Sequence, residues 1–268
     1  MLNGKTALIT GAMGGIGEAI ARALGGQGCN LMLNDIGATA GHEARCAELA
    51  DTLGVTVLFD GADLSRRDQI EALVRSTENR LGPVDILVNN AVKRHYHEIS
   101  EFPPEEWDYA LQVNVTAPFD LCRLVLAGMK QRGFGRIVNM SSLMGLGAKA
   151  GRADYITSKT AIIGLTRAVA AETLSDPDIT CNAICPGSVL TPFISTRIQG
   201  LADERGIGWD EMAARYRANI NQIADFIKPE QIASMIAYLC SDAARGITGT
   251  SIPIDAGVSG SFLQGPEM

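Results

Sequence analysis

Tyr155 and Lys159 stand four residues apart in Tyr155-Ile156-Thr157-Ser158-Lys159, within a helical pattern, so both side chains share one helix face. A phenol in water ionises near pH ~10, too high for a general base at neutral pH. An ammonium one helical turn away stabilises the phenolate. Such a pair can take the proton of an alcohol while hydride leaves the same carbon. Ser142 precedes Tyr155 by thirteen residues, at the mouth of an expected strand, where its hydroxyl can hydrogen-bond the substrate oxygen. Tyrosine and lysine at this spacing also occur as surface pairs. The conjunction with Ser142 and with a glycine turn near residue 11 is what sets this pair apart.

The hydride needs an acceptor. Thr10-Gly11-Ala12-Met13-Gly14-Gly15-Ile16-Gly17 follows an expected strand and precedes an alanine-rich helix, Glu18–Leu24. Glycines there let the backbone turn sharply and approach a pyrophosphate, whose charge the helix N-terminus holds. Asp35 lies eighteen residues after Gly17, at the end of the second expected strand. Its carboxylate can accept hydrogen bonds from both ribose hydroxyls and repels a 2′-phosphate. No arginine or lysine lies between it and Arg45, so NAD and not NADP is the expected cofactor. The alternative for Asp35 is a turn cap. Asp63-Leu64 follows the third strand, within reach of an adenine amino group, and Asn89-Asn90-Ala91 follows the fourth, where side-chain amides can brace the cofactor loop.

These residues need a frame. Short apolar runs at Thr6–Thr10, Asn30–Asn34, Val55–Phe59, Ile86–Asn89, Arg136–Met140, Thr180–Ile184 and Ser251–Ile254 alternate with helix-length segments near 15–26, 41–53, 66–81, 105–132, 153–174 and 229–240. That alternation predicts an α/β fold: one Rossmann-like, doubly wound parallel sheet of about seven strands with helices on both faces. Runs such as ALI, LML and DILV suit strands covered on both sides. No repeat or linker divides the chain, so residues 1–268 are expected to be a single domain. Residues 191–228 break the rhythm with a charged helical pattern at Leu201–Arg217 and are expected to form a substrate lid.

Composition narrows the function classes. Apolar residues make up 46% and charged residues 20%, which excludes a disordered chain. A net charge of −7 without a basic stripe argues against nucleic acid as a partner. The longest uncharged stretch, Ile179 to Thr196, is punctuated by Asn182, Pro186, Gly187 and Pro192 and does not read as a membrane helix. A strand-like run soon after Met1 leaves no room for a signal peptide, so a cytoplasmic location is expected. Six scattered cysteines without a CxxC pair suit reduced, buried thiols. His95-Tyr96-His97 invites a metal reading, but no third ligand stands nearby in sequence; no metal is expected, and Tyr96 or His95 can hydrogen-bond a polyhydroxylated substrate.

TGAMGGIG, NNA, NVN, NMSS, YxxxK and PGSVLT stand in an order and spacing that resembles the short-chain dehydrogenase/reductase family over nearly the whole chain. The resemblance implies a catalytic set of Asn114, Ser142, Tyr155 and Lys159, with Asn114 holding a water in a proton relay from Lys159. It implies cofactor contacts from Gly11, Met13, Gly15, Ile16 and Gly17, from Asp35, Asp63, Leu64, Asn90 and Ala91, from Tyr155 and Lys159, and from Pro186, Gly187, Val189 and Thr191. It also implies a homotetramer built through the helices containing Ala117–Met129 and Tyr155–Thr173. Val92 departs from the glycine usual after NNA, and its β-branched side chain is expected to narrow the nicotinamide cleft.

Within the family, NLMLNDIG, EFPPEEWDYAL, TCNAICPGSVLTP and SDAARGITGT are similar to bacterial D-3-hydroxybutyrate dehydrogenases. That resemblance places substrate contacts at Arg94, Met144, Arg152, Ser188 and Arg197, where those enzymes usually have glutamine, histidine, lysine, tryptophan and glutamine. Ser188 in place of tryptophan enlarges the pocket and adds a hydroxyl. Arg94 and Arg197 add two planar forks suited to carboxylate, sulfonate or phosphate oxygens. Three such cations repel one another unless an anion joins them or acids on the lid, such as Glu204, pair with them. The expected activity is NAD-dependent oxidation of a small anionic hydroxy compound: a hydroxy acid, a sugar acid or a sulfonated sugar. Two alternatives are a dehydrogenase of a neutral sugar, polyol or cyclic alcohol, and a non-catalytic NAD(H)-sensing regulator.

Overall fold

A computed structural model describes residues 2–37, 39–218 and 225–260. Its strands are β1 Thr6–Thr10, β2 Asn30–Asn34, β3 Val57–Asp60, β4 Val84–Asn89, β5 Gly135–Met140, β6 Ile179–Pro186 and β7 Ser251–Ile254. They form one sheet in the order β3-β2-β1-β4-β5-β6-β7, every neighbouring pair parallel. All seven expected strands are present, with ends displaced by a few residues: β3 starts two residues later than Val55, while β4 and β6 run longer than expected.

The helices are α1 Gly15–Gly25, α2 Thr39–Leu53, α3 Arg67–Leu81, α4 Pro104–Leu111, α5 Ala117–Arg132, α6 Ala153–Glu172, α7 Pro192–Arg205, α8 Trp209–Ala218 and α9 Pro229–Cys240. One sheet face packs Ile9, Leu31 and Val88 against Ile20 and Leu24 of α1, Leu49 of α2 and Ile236 of α9. The other packs Leu8, Met32 and Ile137 against Leu73 of α3, Leu121 and Val125 of α5 and Val169 of α6. Burying apolar side chains on both faces explains the near-continuous apolar strands. All six cysteines are buried and unbridged, as their scatter implies. Among the described residues no helix is long and apolar enough to cross a membrane.

Two helical expectations need correction. The segment 105–132 is helical from end to end, but a π-helical turn, Gln112–Thr116, interrupts the α pattern between α4 and α5, with the Ala117 N–H bonded to the Gln112 carbonyl. Pro118 supplies a reason, since it has no N–H to give the Asn114 carbonyl four residues earlier. The pattern at Leu201–Arg217 is likewise divided, because α7 ends at Gly206, whose φ of +63° closes the helix in the left-handed region. α7 and α8 then pack on each other around Ile198, Ala202, Met212, Ala213 and Phe226, a small core separate from the sheet. Residues 219–224 of the expected lid lie outside the described residues.

Candidate active site

A cleft of about 680 Å³ lies over the carboxyl ends of the strands, where chain order reverses between β1 and β4. Open parallel sheets bind ligands at that switch point. Every site residue expected from sequence lines this one cleft except Asn114 and Arg197, which touch its lining residues Lys93 and Tyr96 instead.

At one end the walls are mostly main chain. Gly11 has φ +60°, and a Cβ there would lie 2.7 Å from Ala91 Cα; a Cβ on Gly17 would overlap the Gly11 carbonyl and lie 2.7 Å from Ala12 Cα. Neither position has room for a side chain, so the turn stays tight, and its main chain, which lines the cleft ahead of α1, forms a cradle of the kind that holds an anion at a helix N-terminus. Asn90 braces it, its Nδ2 donating to the Thr10 and Gly11 carbonyls at 3.1 and 2.8 Å. Thr10 Oγ1 accepts the N–H groups of Asn90 and Ala91. Asp35 accepts the Met13 and Ile36 N–H groups at 3.0 and 2.9 Å, which orients its carboxylate beside the turn. Arg45 is tied to Glu18 and Glu48. Gly187 packs against Asp255, where a Cβ would meet Asp255 Cα at 2.8 Å.

The middle of the cleft holds the polar set. Ser141 Oγ donates to the Lys159 carbonyl at 2.7 Å, and a Cβ on Gly145 would lie 2.8 Å from that same carbonyl oxygen. These contacts draw α6 against the end of β5. Lys159 Nζ donates to the Met140 carbonyl at 2.6 Å and sits 5.7 Å from the centre of the Tyr155 ring. Burial, with the charge of Arg94 second, pushes the Lys159 ammonium down to about 8. Ser142 Oγ, at the end of β5, accepts the Met144 N–H at 3.1 Å. Buried Asn114 uses its amide to hold Lys93, accepting its N–H at 2.8 Å and donating to its carbonyl at 2.7 Å.

Side chains build the far end. The loop 92–98 is clamped to α6 by a backbone bridge between His97 and Arg152 and by fully buried Asp154, which accepts the His95 N–H at 2.9 Å and lies 3.1 Å from its Nδ1. His97 Nε2 pairs with Glu106 at 2.7 Å. Among the described residues no group of three potential ligands could hold a metal ion. The Arg152 guanidinium packs on two rings, 4.0 Å from the centre of Tyr96 and 4.6 Å from that of Tyr155. Arg94 stacks on Phe193 at 4.9 Å, and Arg197 on Tyr96 at 5.4 Å. Among the described residues none of these three arginines meets a carboxylate within ion-pair distance, so the pairing with Glu204 offered as an alternative does not occur. Met144 and Ser188 line the cleft as expected. Sequence reasoning missed Phe193, Asp154 and the stacking role of Tyr96; their aromatic or acidic character next to basic positions was the only signal available.

Residues 11–259 match the family described as enoyl-(acyl carrier protein) reductase, of the C2 short-chain alcohol dehydrogenase type. The chain belongs to the short-chain dehydrogenase/reductase family, as the motifs implied. It is 39% identical to a D-beta-hydroxybutyrate dehydrogenase of Cupriavidus necator, over 96% of this chain and 98% of that one. It is equally 39% identical to the enzyme of the same description from Rhizobium meliloti, over 94% and 98%. In structure it is similar to L-sorbose reductase of Gluconobacter frateurii, solved with NADPH and L-sorbose, with TM-score 0.91, 30% identity and coverage of 97% and 98%. The chain is thus an oxidoreductase of the type that acts on hydroxyl and keto groups.

Proposed function

We propose that this chain is an NAD-dependent dehydrogenase that oxidises a secondary alcohol of a small anionic hydroxy compound. The observation that carries the reading is a set of three arginines, Arg152 and Arg197 on Tyr96 and Tyr155 and Arg94 on Phe193, which meet no carboxylate among the described residues. Unbalanced cations at one mouth of a cleft favour a substrate that brings its own negative charge.

The glycine cradle fits a dinucleotide: Gly11, Met13, Gly15, Ile16 and Gly17 take the pyrophosphate, and Asp63, Leu64, Asn90, Ala91, Pro186, Gly187, Val189 and Thr191 complete the contacts. Asp35 supports NAD over NADP by meeting the ribose hydroxyls, while Arg45, engaged with Glu18 and Glu48, is not held ready for a 2′-phosphate. NAD, when bound, supplies the hydride acceptor. Ser142 holds the substrate oxygen, and Tyr155 Oη takes the hydroxyl proton. The Lys159 ammonium stabilises the resulting phenolate through space and binds the nicotinamide ribose. Asn114, whose carbonyl lacks its usual helical donor at Pro118, holds the water that carries the proton onward from Lys159. Residues 191–228 serve as the lid, with Phe193 bringing α7 to Arg94. One domain, a cytoplasmic homotetramer joined through α5 and α6, completes the proposal; exposed Phe119 on α5 supports such an interface, and the mass in solution tests it.

The experiment is NADH formation against hydroxy acids, sugar acids, sulfonated sugars and neutral polyols, repeated with Tyr155→Phe. Turnover of an acid, falling ~10²–10⁴-fold or more in the variant, is expected. Full activity in Tyr155→Phe overturns the mechanism. The similarity to L-sorbose reductase favours a second reading, oxidation of a neutral sugar or polyol; equal loss on acids and neutral analogues in Arg152→Ala would select it.

A further inference from the structure

Tyr96 stands between two histidines, and the three side chains divide between the two sides of their loop. The Tyr96 ring faces the cleft, where Arg152 rests on it at 4.0 Å. The rings of His95 and His97 face the other way, 6.4 Å apart, towards Phe102 and Glu106. Successive side chains of an extended segment alternate in this manner. His95 therefore lies behind the cleft wall and takes no part in its lining. What it meets there is Asp154, fully buried in the first turn of α6. One carboxylate oxygen, Oδ2, accepts the His95 main-chain N–H at 2.9 Å and lies 3.1 Å from its ring Nδ1. The other, Oδ1, accepts the N–H of Tyr155 itself at 2.6 Å. A carboxylate only accepts, so the ring contact puts the His95 proton on Nδ1. Three N–H donors thus converge on one buried carboxylate, and each belongs either to the residue before Tyr96 or to Tyr155.

We propose that Asp154 and His95 are positioning residues for Tyr155: through them the loop that carries Tyr96 and the helix turn that carries Tyr155 move as one unit. The proposal rests on the reading of Tyr155 as the base. On the cleft side the same two segments meet again, with the Arg152 guanidinium 4.0 Å from the centre of the Tyr96 ring and 4.6 Å from that of Tyr155. Arg152 is buried between the rings, so a displacement of Tyr96 is passed on to Tyr155. His97 fastens the far end of the loop, by its main-chain bridge to Arg152 and by its Nε2, 2.7 Å from Glu106 of α4. The carboxylate behind the wall and the guanidinium in front of it hold the tyrosine from both sides. Neither Asp154 nor His95 needs to touch the substrate to act on the rate, since a misplacement of reacting groups by ~1 Å costs up to ~10²-fold.

The test uses the NAD-loaded enzyme with D-3-hydroxybutyrate, gluconate and sorbitol as probes. Asp154→Asn is the more direct variant, but burial makes it the one more exposed to misfolding, so His95 carries the test. His95→Leu removes the ring donor, and His95→Asn returns one near the place of Nδ1. With a probe that is turned over, His95→Leu should slow NADH formation in the first turnover about tenfold or more. NAD affinity, set at the glycine cradle, should not change, and His95→Asn should recover most of the rate. In a Tyr96→Ala background His95→Leu should cost little further, because its effect passes through that ring. Losses that multiply instead, an unchanged rate, a fall in NAD affinity or no recovery in His95→Asn overturns the positioning role and leaves the dehydrogenase reading standing. No NADH from any probe with the unaltered enzyme overturns that reading instead, and hydrogen exchange followed by mass spectrometry then decides the coupling. Faster exchange in 92–98 and 153–157 together in His95→Leu, slowed again in His95→Asn, upholds it. Faster exchange confined to 92–98, spread over the whole chain or absent overturns it.

Discussion

Around Gly11–Gly17 the cleft is walled by main chain, and its polar groups are locked: Asn90 holds two carbonyls, Thr10 holds two N–H groups and Asp35 two more. Around Tyr96 the walls are long side chains, and their cations rest on rings without meeting a carboxylate among the described residues. The first end is specified by backbone shape, so few substitutions fit. The second is specified by charge and reach, so exchange of a few side chains changes what is bound while the fold stays as it is. A cofactor common to many reactions belongs at the rigid end, and a substrate that differs between relatives belongs at the other.

The sharpest way to break this contrast is Gly17→Ala. A methyl group there meets the Gly11 carbonyl and Ala12 Cα, neither of which is a flexible side chain. Overpacking of that kind costs about 1–3 kcal/mol, so thermal unfolding should shift down by several degrees and dinucleotide binding, followed by calorimetry, should be lost. Wild-type affinity would show that the cradle is not rigid. Arg152→Ala comes next: kcat/KM for an acidic substrate should fall about tenfold to a hundredfold, with a much smaller fall for a neutral analogue.

Smaller still is the effect expected of Asp35→Ala, which should weaken NAD and improve NADP, narrowing the ratio of their kcat/KM values about tenfold. Equal use of both cofactors by the unaltered enzyme would sink the NAD assignment. The smallest effect is a displaced pH profile. Lys159 keeps its charge only below about pH 8, because burial and then the Arg94 charge disfavour it. Removing a like charge makes the ammonium easier to keep, so Arg94→Gln should move the alkaline limb of kcat towards higher pH, by less than about one unit. A limb moving towards lower pH would show that Arg94 acts on Lys159 with the opposite sign.

The sequence legibility of the two ends differs for the same reason. Strand–turn–helix punctuation and the four-residue step from Tyr155 to Lys159 are local, so the cradle and the polar set could be read from spacing. The Asp154–His95 clamp joins residues 59 apart, and the stack of Arg197 on Tyr96 joins residues 101 apart; no local pattern encodes either. The charged run at Leu201–Arg217 conceals the stop at Gly206 because both α7 and α8 continue the same periodicity. The π turn before α5 was hidden similarly, its trigger being a proline that a helix tolerates near its start.

The six cysteines have a practical consequence. All are buried, and burial pushes the thiols of Cys29, Cys122 and Cys240 up to about 12. Since the thiolate is the reactive form, maleimide reagents at neutral pH should find almost nothing to modify in the folded chain. A single cysteine introduced at exposed Gln199 on α7 would therefore carry a dye or spin label alone, without removing any native thiol. The mobility and polarity that this one label reports would follow α7 directly as an anion arrives, turning the chemical silence of the interior into a background against which movement can be watched.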